Sequence, residues 1–136
     1  MAVAVLTLIR SIADYEIRAS STLALATELS TPMLVTARTR RTYAFVDDDR
    51  VVVTRPAAMS EVQALRALRT GDASAFLASD PAGVGMAMGE MPAVRAAVES
   101  MMNKGWVRST GEWEQWRKGV WARNDEVAAR ILKDLP

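Results

Sequence analysis

The chain of 136 residues contains no cysteine and no histidine. Disulfide bonds are therefore excluded, and the zinc sites that hold many small folds together lose their two commonest ligands. The same absence removes thiolate nucleophiles and the side chain that titrates near neutral pH without special help. The fold must therefore rest on an apolar core. A chain of this length predicts a single domain, 1–136, with 1–56 and 57–136 as its candidate sub-units.

Apolar residues recur with helical spacing, mostly at intervals of three and four, from about residue 6 to residue 29. This spacing is typical of one face of an α-helix. Ser30, Thr31 and Pro32 then end the pattern, because the residue before a proline avoids the helical region. The sequence predicts a long N-terminal helix whose apolar face comprises Ile9, Ile12, Ala13, Ala19, Leu23, Ala26 and Leu29.

β-Branched and aromatic runs follow over residues 33–55. The runs 33–35 and 43–46 are separated from 51–53 by Asp47, Asp48 and Asp49. Aspartate suits turns, because its side chain bonds the neighbouring backbone amides. Apolar runs divided by such a turn predict a β-hairpin.

The remainder of the chain predicts about four helices, arranged as a C-terminal bundle. Ser60 with Gln63 and Ser109 with Glu112 have the spacing of capping boxes. Predicted helices cover 61–70, 73–79 and 91–103, and a long last helix follows residue 109. In the first of these, Val62, Leu65 and Leu68 are the predicted buried stripe. The expected fold class is α+β, mainly helical.

Aromatic and basic residues coincide in the last third of the chain. Residues 101–136 hold all four tryptophans and carry seven basic against five acidic side chains. Helical spacing places Trp113 and Trp116 on a core-facing stripe, whereas Trp121 falls on the side of Arg117 and Lys118 and is expected to be partly exposed. Exposed tryptophan beside arginine is typical of an interface hot spot. We therefore assign Arg117, Lys118 and Trp121 to partner binding.

A second basic group lies in the predicted hairpin. Arg38, Arg40 and Arg41 occur within four residues, and strand alternation would place the first two on one face. Guanidinium groups so arranged can hold phosphates or an acidic protein surface. The alternative is a solvated strand face paired with the nearby aspartates. We include these three arginines among the predicted partner-binding residues.

The remaining sequence patterns do not indicate a cofactor site, a metal site or a catalytic site. Gly83, Gly85 and Gly89 resemble a dinucleotide fingerprint but lack the preceding strand that the motif requires. The aspartates at 47–49 lack the alternation, central glycine and distal glutamate of a calcium loop. The remaining candidates for catalysis are Ser60, Ser74, Lys104, Glu90 and Asp72. They do not show the spacing of a nucleophile and its base. We therefore predict no enzyme, no catalytic residue, no metal and no cofactor.

One weak resemblance supplies an alternative. The predicted helices 61–70, 73–79 and 91–103, followed by Gly105-Trp106-Val107-Arg108, resemble winged helix-turn-helix domains over about a third of the chain. That likeness implies a DNA-binding regulator using residues 61–108. The turn before the third helix is too long for the motif, and a helix is predicted where a wing should be. Its third helix also carries only Arg95 and Lys104 to meet phosphates. A salt titration against duplex DNA tests this alternative.

The favoured expectation is a small non-enzymatic accessory protein that binds another protein. It would dock on or inhibit a larger complex, or assemble with copies of itself, in the style of phage and plasmid proteins. Residues 1–9 are apolar but lack a basic start, and Arg10, Asp14 and Glu16 follow too soon for a secretory or membrane-spanning segment. We therefore expect a cytoplasmic protein with no membrane partner. Nucleic acid is the less favoured partner.

Overall fold

A computed structural model describes residues 21–106 and 108–134. Within them the chain is α+β and mainly helical, as the sequence predicts, with two short strands and six α-helices. The elements in chain order are α1 (Ser21–Glu28), β1 (Met33–Thr36), α2 (Ala37–Thr42), β2 (Val52–Arg55), α3 (Glu61–Thr70), α4 (Ser74–Leu77), α5 (Pro92–Lys104) and α6 (Thr110–Lys133). Two 3₁₀ turns, Ala44–Val46 and Met88–Glu90, complete the description.

The two strands pair in parallel, so the predicted hairpin is wrong. Met33 lies opposite Val52 and Thr36 lies opposite Arg55, which means that both strands run in the same direction. Parallel strands need a crossover connection rather than a tight turn. Residues 37–51 supply it, with α2 and the 3₁₀ turn at Ala44–Val46. The aspartates 47–49 lie at the end of this crossover, just before β2.

The basic stretch after β1 forms α2 instead of continuing the strand. Thr36 has extended backbone angles, and its hydroxyl accepts a hydrogen bond from the amide of Thr39 at 3.4 Å. A threonine in this position is an N-cap and favours a helix start. The arginines that follow are good helix formers. Arg38, Arg40 and Arg41 therefore lie on a helix, not on a strand face.

The sheet separates two apolar cores, because successive side chains of a strand point to opposite faces. On one face, Met33, Val35 and Val52 pack with Leu23 and Ala26 of α1 and with Trp113 and Trp116 of α6. On the other face, Leu34 and Val53 pack with residues of α3, α4 and α5, including Ala64, Phe76, Val98 and Met101. Helices thus cover both faces of a two-stranded sheet.

This arrangement corrects the expectation of a four-helix C-terminal bundle. The helices α3, α4 and α5 share one core, whereas α6 lies with α1 on the opposite face of the sheet. Helix α5 ends at Gly105, which has a φ of 59°. Sequence periodicity identifies the apolar face of a helix but not the neighbour that covers it.

Helix α1 ends where the sequence predicts. Ser30 adopts a left-handed conformation with φ of 51°. The amide of Thr31 donates to the carbonyl of Ala26, and the amide of Ser30 donates to that of Thr27, which is the pairing of a Schellman motif. The rest of the predicted N-terminal helix, residues 6–20, lies outside the described residues.

The later helix starts follow the predicted capping residues. Both capping boxes, Ser60 with Gln63 and Ser109 with Glu112, are formed. The predicted stripe of α3 is partly wrong, because Val62 is 68% exposed while Ala64 and Ala67 face the core. No helix in the described ranges combines the length and apolar character needed to cross a bilayer.

Candidate functional site

The tryptophans of the last third divide between core and surface, as predicted. Trp113 and Trp116 are 3% and 5% exposed, and their rings meet edge to face with centroids 5.5 Å apart. Trp106 is half-buried against the second core. Trp121 is 58% exposed, although it lies only five residues after Trp116. The two buried rings fix the position of α6, and the exposed ring lies on its surface.

A cleft of about 290 Å³ opens between α1 and α6 beside Trp121. Its walls include Ala24 and Glu28 of α1, Arg117 and Trp121 of α6, and Phe45 from the crossover. We call it the Phe45 cleft. Phe45 is 37% exposed, and its ring contacts that of Tyr43 edge to face at 6.2 Å. Three stretches far apart in sequence therefore build one partly aromatic wall.

A second cleft of about 310 Å³ adjoins the first at the end of α1. Its walls include Pro32, Trp106, Trp113, Glu114 and Arg117, and we call it the Trp106 cleft. Arg117 lines both clefts. The two clefts therefore share Arg117 as a wall residue and both lie along α1 and α6.

Arg117 is held in this position by the end of α1. One terminal nitrogen of its guanidinium donates to the hydroxyl of Ser30, the residue in the left-handed conformation. Within residues 21–106 and 108–134 it pairs with no carboxylate. Guanidinium groups carry five donors, so Arg117 keeps donors for a partner after the bond to Ser30. Lys118, the third residue predicted on α6, is exposed and lines neither cleft.

The predicted arginines of the crossover do not join this surface. Arg40 is turned inward: its Nε donates to Asp47 at 2.6 Å, and its Nη1 donates to Asp49 at 2.6 Å and to the Thr54 hydroxyl at 2.9 Å. Its side chain is only 20% exposed. Arg38 and Arg41 are exposed on α2. The sequence left open that these arginines pair with the nearby aspartates instead of a partner. Arg40 does so.

Asp49 joins the crossover to the far end of α5. Its carboxylate bonds Arg40 and also Lys104, and its carbonyl accepts from Arg108 Nε at 2.8 Å. The hydrogen bond from Lys104, followed by that from Arg40, lowers the pKa of Asp49 below its usual value. The hydrogen bond from Arg50 likewise lowers the pKa of Asp48. Both carboxylates are therefore paired with cations of the same chain.

These lowered pKa values predict a loss of stability in acid. A carboxyl group whose folded pKa is lower than its unfolded pKa stabilises the protein above the ordinary pKa, and that stabilisation disappears as the pH falls through the folded pKa. We expect the free energy of unfolding to decrease below about pH 4. Urea unfolding at a series of pH values measures it.

Asp49→Asn is the matched control, because asparagine keeps the shape and cannot titrate. Its stability should vary less between neutral pH and about pH 3 than that of the wild type. Identical pH dependence in the two proteins would contradict the assignment.

In the α3–α5 region, which carries the DNA-binding alternative, the two basic groups of the predicted third helix are engaged. Arg95 donates to the Gly89 carbonyl at 2.9 and 2.6 Å, and Lys104 pairs with Asp49. Residues 78–91 separate α4 from α5, where a helix-turn-helix motif has a turn of three or four residues. DNA binding stays a prediction for the salt titration.

Sequence reasoning missed Phe45 and Ser30. Phe45 lies in a run that predicts a strand, and Ser30 was interpreted only as a helix end. Their place beside α6 depends on contacts across about ninety residues of chain, for example Ser30 with Arg117. No local pattern carries that information.

The described residues contain no group of three or more acidic side chains placed to hold a metal ion. The comparisons with known proteins give no further lead. No family model, curated protein or solved structure matches the chain.

Proposed function

We propose that this protein acts by binding another protein through the surface formed by the Phe45 cleft and the Trp106 cleft. The observation that carries the proposal is the position of Arg117, which lines both clefts beside the exposed Trp121. Tryptophan and arginine are the residues most enriched among those that dominate binding energy at protein interfaces.

The chemistry of the surface indicates what the partner presents. Phe45 and Trp121 offer aromatic area for an apolar side chain. Arg117 offers guanidinium donors for a carboxylate, and a planar fork can bind one through two parallel hydrogen bonds. A protein segment with an apolar residue next to an acidic one could contact the aromatic side chains and pair with Arg117 at the same time. The partner is either a larger complex or a second copy of the chain.

We further propose that the protein is not an enzyme, and the engagement of five of its carboxylates supports this. Asp47, Asp48 and Asp49 pair with arginine or lysine, and Glu61 pairs with Arg55. Glu112 is engaged by its capping box. A general acid or base needs a proton to move at working pH. Carboxylates held by cations and amides are poorly suited to that role.

The double variant Trp121→Ala with Arg117→Glu tests the proposal. It removes aromatic area from one cleft and reverses the charge of the residue that lines both. We expect a tagged protein carrying these changes to lose at least about 90% of its captured partner, because a hot-spot pair is worth more than about 2 kcal/mol. Pull-down from a host lysate, quantified against the wild type, measures the loss. Light scattering of the purified protein reports whether self-association is lost instead.

Val62→Ala with Arg66→Glu is a matched control. These residues also lie four apart on a helix, both are exposed, and α3 lies on the opposite face of the sheet. We expect the control to capture the partner as the wild type does, with both variants melting close to the wild-type temperature. Equal capture by the two variants would contradict the proposal, and so would a large drop in melting temperature for Trp121→Ala with Arg117→Glu.

A further inference from the structure

One wall of the Trp106 cleft is a face of α6. Thr110, Trp113, Glu114 and Arg117 all line the cleft, and each lies three or four residues from another of the four. Residues three and four apart lie on the same side of a helix, so the first turns of α6 present these side chains together. The buried ring of Trp113 packs in the core and fixes the position of this stretch of α6.

The opposite wall comes from the end of α1 and the segment that leads into β1. Leu29 and Pro32 supply apolar surface there, and Ser30 and Thr31 between them add hydroxyl groups. Trp106, from the connection before α6, contributes an aromatic ring to the lining. The cleft therefore combines apolar and aromatic surface with hydrogen-bonding groups.

The cleft also contains a cation and an anion that do not pair with each other. Arg117 donates to the hydroxyl of Ser30 on the opposite wall. The Glu114 carboxylate is exposed and, in the part of the chain that the structure describes, accepts no hydrogen bond and forms no ion pair. Opposite charges three residues apart on a helix ordinarily attract each other. Here Ser30 holds the guanidinium towards α1, so the two charges stay separate within one cleft.

The third charged side chain of the lining is engaged elsewhere. Arg108 donates to the backbone carbonyls of Val52 at 3.0 Å, Gly105 at 3.0 Å and Asp49 at 2.8 Å. Its guanidinium is thus directed at the backbone of its own chain. The charged pair that can receive a ligand in this cleft is Glu114 with Arg117.

A ligand that suits this pair carries both charges a short distance apart. An ammonium group would bind the carboxylate of Glu114, and a carboxylate would bind the guanidinium of Arg117. In a free α-amino acid both groups are attached to the same carbon atom. Side chains three residues apart on a helix have Cβ atoms about 5–6 Å apart, a separation that such a compact zwitterion can bridge. Its side chain would then lie against Trp106 and the apolar wall.

The volume of the cleft suits the same class of molecule. It is about 310 Å³, which is the liquid volume of roughly ten water molecules. A free amino acid with an apolar side chain is of this size, whereas a nucleotide or a longer peptide would extend beyond the cleft.

We propose that the Trp106 cleft binds a free α-amino acid with an apolar side chain, its carboxylate on Arg117 and its ammonium group on Glu114. The inference goes beyond the proposed function and does not rest on it, because no protein partner is needed. Arg117 is common to both, so a bound amino acid would compete with a partner's carboxylate for this guanidinium.

Titration of the purified protein with L-leucine and with L-phenylalanine tests the proposal. Nuclear magnetic resonance follows the indole N–H signals of the four tryptophans, each assigned by its replacement with phenylalanine. With at least one of the two amino acids we expect a saturable shift of the Trp106 signal, half-complete at about 1 mM or below. The signal of Trp121, which does not line this cleft, should not move. No saturable shift with either amino acid would overturn the proposal, and so would a shift of the Trp121 signal alone.

Capped derivatives separate recognition of the zwitterion from simple apolar binding. The amide of each amino acid lacks the carboxylate and the N-acetyl form lacks the ammonium group, while both keep the side chain. We expect each derivative to bind at least about tenfold more weakly than the free amino acid, since each loses a charge-assisted hydrogen bond. Equal affinity for the free amino acid and either derivative would contradict the proposal.

Glu114→Gln tests the role of the anion, because glutamine keeps the shape of the side chain and removes its charge. We expect its affinity for the amino acid to fall at least about tenfold. Glu126→Gln is the matched control, since Glu126 is exposed on the same helix and lines neither cleft. It should bind as the wild type does, and equal affinity in the two variants would overturn the proposal.

Failure of this proposal and failure of the proposed function are distinguishable. The titrations use the purified protein and small molecules, whereas the capture experiment measures a protein partner. Absent amino-acid binding, together with loss of capture by Trp121→Ala with Arg117→Glu, would overturn the amino-acid site and leave the proposed function standing.

Discussion

Trp113→Ala is expected to lower the free energy of unfolding by about 3–5 kcal/mol, which is the range for truncating a large buried aromatic residue. Trp113 is 3% exposed and contacts the ring of Trp116 in a core that also holds Met33, Val35 and Val52. Its loss would leave a cavity between α6 and the sheet. A stability decrease of this size is a large part of what a small domain has.

Trp121→Ala is the control for this prediction. The same chemical change on the same helix removes a side chain that is 58% exposed. Its stability should stay within about 1 kcal/mol of the wild type. Urea unfolding followed by circular dichroism measures both variants. Similar losses for the two would contradict the division between buried and exposed tryptophans.

Arg108→Ala is expected to have the second largest effect, a loss of about 2–3 kcal/mol. Its guanidinium donates to the carbonyls of Val52 at 3.0 Å, Asp49 at 2.8 Å and Gly105 at 3.0 Å. It therefore joins the segment before α6 to the edge of β2. Burial lowers the pKa of Arg108 from its usual value, while Glu112 and Asp49 act in the opposite direction.

Arg108→Lys distinguishes geometry from charge. A lysine amine keeps the positive charge but cannot reach three separated carbonyls at once. It should lose most of the stability that the alanine variant loses, as measured by urea unfolding. Arg69→Ala, an exposed position on α3, should change stability by less than about 0.5 kcal/mol. Full stability of Arg108→Lys would show that charge alone matters here.

Local chemistry predicted the helix boundaries well. Ser60 with Gln63 and Ser109 with Glu112 form capping boxes, and Pro92 lies in the first turn of α5. These signals act over three or four residues, and their partners are backbone amides of the same turn. Because these partners are local, a sequence pattern predicts them better than it predicts contacts between distant segments.

The strand pairing could not be predicted in the same way. Apolar runs on either side of three aspartates are equally compatible with a hairpin and with a short crossover to a parallel strand. The difference depends on α2, whose start relies on the Thr36 hydroxyl, and on Arg40 binding Asp47 and Asp49. The predicted burial of Val62 is also wrong. Small Ala64 and Ala67 bring α3 close to its core, so the larger side chain faces outward.

The candidate site was predicted in part. Arg117 and Trp121 were identified from composition and helical position, and the structure brings them to one cleft. Phe45, Ser30 and the division of the helices between two faces of the sheet depend on contacts between distant segments. Such contacts do not produce a periodic pattern in the sequence.

The two-sided sheet has a consequence for the order in which the molecule assembles during synthesis. The layer of α3, α4 and α5 closes with residues up to about 106, all of which leave the ribosome before α6. Met33 and Val52 on the other face are fully covered only with Trp113 and Trp116, which are made after that layer. A nascent chain therefore exposes the apolar side chains of this face until α6 has been made, which favours chaperone contact or premature association at that stage.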